Sequence, residues 1–131
     1  MKPEEIMVGD WIMFPNSIEK VQEVSFVEGK GYCASFAASS TLFPILIDLL
    51  KPIPITPEIL EKNGFTTDDD DIYRWTNAIE DIVRLYTDDN HTWFVDLSSD
   101  ICGVIDYLAI NSIHELQHAL RLCKIDKEIE L

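Results

Sequence analysis

The chain has 131 residues, 47% apolar and 26% charged, which suits one core of ordinary size and excludes a disordered tail. Its 24 acidic against 10 basic residues give a formal net charge of −14. Most of the surface would therefore repel phosphate backbones and anionic membranes, so neither a nucleic-acid nor a membrane partner is expected. The longest apolar run, at 42–50, is too short to span a bilayer and is broken by Pro44 and Asp48. Met1-Lys2-Pro3-Glu4-Glu5, followed by Asp10, does not read as a secretory leader. Cys33, Cys102 and Cys123 are odd in number, widely spaced and set among apolar residues, so buried thiols in a reducing, cytoplasmic compartment are expected.

The first third reads as β-structure. Positions 7–14, 18–27, 32–37 and 42–50 are rich in residues that fit a pleated surface, and Pro15-Asn16-Ser17 and Glu28-Gly29-Lys30-Gly31 punctuate them as turns. The run at 42–50 is nearly all apolar, which predicts a strand covered on both faces. Short strands joined by tight turns suggest an SH3-like barrel or curled sheet. Lys51-Pro52-Ile53-Pro54-Ile55 must be extended, because each proline excludes the helical region for the residue before it. A short helix then spans 56–63, with Thr56 as N-cap, Pro57 at the first helical position, Glu58 in the first turn and Gly64 just past the end.

Thr66-Thr67-Asp68-Asp69-Asp70-Asp71 reads as a solvated loop. It fails as a calcium loop, since Ile72 and Tyr73 occupy the fifth and sixth positions counted from Asp68. Helical and strand periods compete over 77–87; the Asp88-Asp89-Asn90 turn and the strand around Thr92-Trp93-Phe94-Val95 favour a hairpin, hence a strand. Ser98-Ser99-Asp100 is expected to turn into a strand over 102–110, which leads to a C-terminal helix over 111–124.

That helix carries His114-Glu115-Leu116-Gln117-His118, the His-Glu-x-x-His spacing of a zinc hydrolase, in which the two histidines hold the metal and the glutamate is the general base. The extended form of the motif fails, because Arg121 and Lys124 stand where it needs Gly and His, and His91 is the one histidine left to recruit. At 100° per residue Ile113, Leu116, Ala119, Leu120 and Cys123 form the apolar stripe, which predicts His114 and His118 on the opposite, open face near Arg121. No metal or cofactor site is expected; the alternative is zinc on His114 and His118 with Glu115 as base. Ser39-Ser40, Ser98-Ser99 and the cysteines sit in no nucleophile signature, Glu80, Asp81, Asp96 and Asp106 could pair as carboxylates, and Trp11, Trp75 and Trp93 read as core anchors.

Val8-Gly9-Asp10-Trp11-Ile12, Pro52-Ile53-Pro54-Ile55-Thr56-Pro57-Glu58-Ile59-Leu60 with Lys62 and Gly64-Phe65, and Ile113-His114-Glu115-Leu116-Gln117 resemble, in that order, a family of small uncharacterised acidic proteins encoded in prophage and mobile-element regions of gut bacteria. The resemblance spans most of the chain. It implies that His114, Leu116 and Gln117 recur while position 118 varies, which makes His118 dispensable and His114 and Gln117 structural, bonded to the preceding strand. The fold expected is α+β in a single domain over 1–131: an N-terminal SH3-like β-rich lobe at about 1–51, then a short central helix and an antiparallel sheet covered by a C-terminal helix at about 52–131. The function expected is that of a non-enzymatic mobile-element accessory acting through a protein partner, one for which an acidic surface suits basic chemistry; the alternative is a zinc-dependent hydrolase.

Overall fold

The computed structural model describes residues 1–36, 44–68 and 70–131, in two units divided after Ile53: Met1–Ile53 and Pro54–Leu131. Ala37, Ser39, Ser40, Leu42, Phe43 and Asp69, which bear on the expectations above, lie outside the described residues. In the first unit β1 (Trp11–Met13), β2 (Ile18–Val27), β3 (Gly31–Phe36) and β4 (Ile45–Leu46) pair antiparallel in sequence order. Gly29, at φ +80, supplies the left-handed residue in the turn between β2 and β3. After β4 the chain makes a 3-10 turn, Ile47–Leu49, and Lys51 then exchanges both backbone hydrogen bonds with Met13, at 2.9 and 3.0 Å. The meander thus curls back onto its first strand, as an SH3-like lobe requires. Ile6, Ile12, Val21, Ala34, Phe36, Ile47 and Leu50 fill its core.

Two strand expectations in this unit need correction. The strand expected at 7–14 starts only at Trp11, because Asp10 folds the preceding residues into a turn: its buried carboxylate accepts the Met7 N–H at 2.8 Å and its own N–H reaches the Met7 carbonyl at 3.1 Å. The strand expected over 42–50 is reduced, among the described residues, to Ile45–Leu46. Asp48 explains the break. A strand covered on both faces would bury its carboxylate, whereas the 3-10 period sends Ile47 and Leu50 into the core and leaves Asp48 and Leu49 in solvent.

The second unit opens with α1 (Pro57–Lys62), capped as expected: Thr56 Oγ1 accepts the Ile59 N–H, and Gly64 at φ +85 ends it with paired bonds from Gly64 N–H to Glu61 and Phe65 N–H to Leu60. A five-stranded antiparallel sheet follows in sequence order, β5 (Thr66–Thr67), β6 (Tyr73–Thr76), β7 (Ile82–Thr87), β8 (Trp93–Ser99) and β9 (Gly103–Ile110), and then α2 (Ile113–Leu122). The strand expected over 77–87 begins at Ile82. Asn77 takes the residues before it into a turn, its Oδ1 accepting the N–H groups of Ile79 and Asp81. Ser98 and Ser99 belong to β8 and not to a turn.

Val83, Leu85, Val95 and Leu97, paired Val83 to Leu97 and Leu85 to Val95, form the buried face of the sheet. The buried stripe of α2, Ile113, Leu116, Leu120 and Cys123, covers it, and Ser99 Oγ donates to the Cys123 carbonyl at 3.1 Å. The C-terminal tail is part of the unit. Ile125 and Ile129 are buried, and Asn63 clamps Glu130, donating to its carbonyl at 2.8 Å and accepting its N–H at 2.7 Å.

Candidate functional site

Ser112, at the start of α2, has extended backbone and its Oγ accepts the Glu115 N–H, while Glu115 folds back so that its Oε2 accepts the Asn111 N–H at 3.2 Å and its Oε1 lies 3.4 Å from Ser112 Oγ. Ser112-x-x-Glu115 is a capping box displaced by one residue at its acidic end. That signature is visible in the sequence and accounts for Glu115 without any metal.

The open face predicted for the histidines is not observed. His114 is 5% and Gln117 8% exposed, and His118 is half-buried. A single stripe would leave one side of the helix against protein, but the extended connector also reaches the helix start, where Pro54 bridges to Ser112. Buried polar side chains need partners. His114 Nδ1 lies 3.0 Å from Ser112 Oγ, and its ring meets that of His118 edge to face with centroids 5.6 Å apart.

Among the described residues no group of three His, Cys, Asp or Glu side chains could hold a metal ion. His91 sits exposed at the β7–β8 turn with φ +62, and Glu115 is engaged in the cap. Ser112 Oγ lies within hydrogen-bond reach of both His114 and Glu115, but Ser112 is only 1% exposed and its oxygen caps the helix.

The opposite face of the sheet is open, with charged side chains set among apolar ones. Arg74, Thr76, Ile82, Arg84, Asp96, Ser98, Val104 and Asp106 line a groove of about 370 Å³, so Asp96 and Asp106 do share a site, whereas Asp81 is buried against Asn77 in the β6–β7 turn. Asp96 organises this face. Opposite it β9 carries a bulge, the register moving from Val95 against Leu108 to Leu97 against Ile105, so that Asp106 and Tyr107 face one residue. Asp96 Oδ1 accepts both the Tyr107 N–H and the Tyr86 O–H at 2.9 Å, and Arg84 approaches Oδ2 at 3.5 Å. Desolvation first, then the bond to Asp96, pushes the Tyr86 phenol up to about 12. The bulge leaves Tyr107 at φ +59 and 74% exposed.

The remaining expectations resolve locally. The acidic loop is stitched at one end, since Arg74 bonds Asp68 at 2.6 Å and Asp70 at 2.9 Å and so lowers the Asp70 carboxyl to about 2. Cys33 and Cys123 are buried, and burial followed by the neighbouring Cys102 pushes the Cys123 thiol up to about 12; Cys102 itself is half-buried, held to Ser99. The tryptophans are half-buried, Trp11 under Lys20 and Trp75 under Lys127.

The strand expected over 102–110 forms as Gly103–Ile110, but its exposure was not legible in the sequence: Ile110 alone is buried, and Val104 (68%) and Tyr107 stand in solvent. Its place at the end of the strand order is the cause. Beside its second half, Leu108, Ala109 and Ile110 join Glu115, His118, Ala119 and Leu122 of α2 around a shallow groove of about 260 Å³. Among the described residues no helix is long and apolar enough to cross a membrane. Comparisons of the chain with protein-family models, with curated proteins and with solved structures found no match.

Proposed function

We propose that this chain is a non-enzymatic accessory protein of a mobile element, working in the cytoplasm by holding another protein. The observation that carries this reading is β9: an eight-residue strand, six of them apolar, at the end of its sheet with almost no side chain buried. Contiguous exposed apolar surface of this kind on a strand edge is characteristic of a surface that is covered in use. The net charge of −14 supports a basic partner over an acidic one, and the three free thiols suit a reducing compartment. The likeness to prophage-encoded acidic proteins supports the mobile-element setting.

The test is affinity capture from host lysate with the parent chain and with a Val104→Lys/Tyr107→Lys variant, across salt concentrations. The reading predicts a partner retained by the parent and lost by the variant. Capture unchanged by the variant, or no partner at any salt concentration, contradicts it. Stoichiometric zinc in untagged protein, lost in His118→Ala, would replace it with a zinc-dependent hydrolase.

A further inference from the structure

The open edge of β9 and the groove beside it belong to one surface. Resting on the protein-binding reading, we propose that this surface takes an extended, basic peptide segment, which adds as a further strand on β9 and seats a side chain in the groove between β9 and α2.

Backbone chemistry gives the first argument. β9 is the last strand of its sheet, and an outer strand presents unpaired N–H and C=O groups that an extended chain can meet by strand addition. The groove gives the second. Leu108, Ile110, Ala119 and Leu122 make it apolar, and Leu122 is 71% exposed. At about 260 Å³ it lies below the range of roughly 300–1,000 Å³ that encloses a small-molecule ligand, which fits one or two side chains of a longer chain better.

Charge selects among occupants. Between Ser98 and Asn111 the only charged residues are Asp100 and Asp106, and Glu115 stands at the groove. Glu115 accepts one bond at each oxygen, and a carboxylate has about four acceptor positions, so it retains capacity for a Lys or Arg. A second copy of the chain is the wrong occupant. Antiparallel pairing of β9 with itself would set two chains of charge −14 together, bring like aspartates across the strands and oppose two bulges. A basic segment with alternating apolar residues meets the edge, seats apolar side chains in the groove and sets its cations toward Asp106 on the other face of the strand.

The probe is acetyl-Lys-Val-Lys-Val-Lys-Val-Lys-amide, titrated into the labelled full chain and followed by amide chemical shifts and hydrogen exchange, beside the same peptide with Glu for Lys. The proposal predicts shifts at Leu108–Ile110 and Glu115–Leu122, slowed exchange on β9 with the Lys peptide only, and binding weakened about tenfold by Leu122→Lys or Asp106→Lys, both on exposed side chains. Equal response to the Glu peptide, response elsewhere, no response, or a concentration-dependent dimer through β9 overturns it. If the peptide fails while the parent chain still captures a partner that Val104→Lys/Tyr107→Lys loses, the protein-binding reading stands and this groove falls. If capture fails as well, the reading itself falls.

Discussion

Replacing His114 by alanine distinguishes a buried structural histidine from a metal ligand. The side chain is 5% exposed, its Nδ1 lies 3.0 Å from Ser112 Oγ and its ring packs against His118. Removing it takes a partner from a buried hydroxyl, worth about 1–3 kcal/mol, and leaves an imidazole-sized void with a cost of its own. Ser112 Oγ keeps the Glu115 contacts, so the hydrogen-bond loss stays at the low end and the void brings the total to the upper half of that range, about 2–3 kcal/mol. In urea the midpoint should fall by about 1 M with unchanged slope. The loss should be the same with and without a chelator. A double-mutant cycle with Ser112→Ala should be non-additive, because both single variants break one contact. A His114→Ala loss within about 0.5 kcal/mol would refute the structural role, and a loss that vanishes in chelator would refute it in favour of a metal ligand.

Three more outcomes follow from local chemistry. Lys124 ends α2 at φ +52, where Lys124 N–H meets Arg121 and Ile125 N–H meets Leu120 in the pattern glycine favours, so Lys124→Gly should stabilise the chain by about 1 kcal/mol in thermal or urea unfolding. The Tyr86 phenol, raised to about 12 from 10.0, should ionise near that value in an ultraviolet titration; its contribution to stability is complete below about pH 10 and is lost between there and about 12, and Asp96→Asn should lower its pKa. The Asp70 carboxyl, lowered from 3.8 to about 2 by Arg74 first, supports the folded state above about pH 4 and ceases to as pH falls toward 2; Arg74→Ala should return its carbon-detected titration to the ordinary range.

Local chemistry made part of this fold legible. Thr56, Pro57 and Gly64 specify α1 by capping and backbone preference alone, and Glu28-Gly29-Lys30-Gly31 and Asp88-Asp89-Asn90 specify turns because their residues tolerate turn backbone. Pattern reading failed where neighbours decide. One aspartate, Asp48, converts an apolar run into a 3-10 turn, and the strand expected over 102–110 lies at the sheet edge, a position to which periodicity is blind. The helical wheel found the core stripe of α2 but misplaced His114, because burial depends on how many layers surround a helix. The candidate surface combines residues legible singly, Glu115 as a capping acid and Leu122 as an exposed apolar residue, with a strand position that was not.

The most direct measurement is site-specific photo-crosslinking in the host, with benzoylphenylalanine placed in turn at Tyr107 and Leu122 in the second unit and at Phe26 and Tyr32 in the first, all exposed in the free chain. A protein adduct at 107 and 122 and none at 26 or 32 is the predicted result. Adducts confined to 26 and 32, or none at any position, would contradict the claim that this protein works by holding a partner along β9.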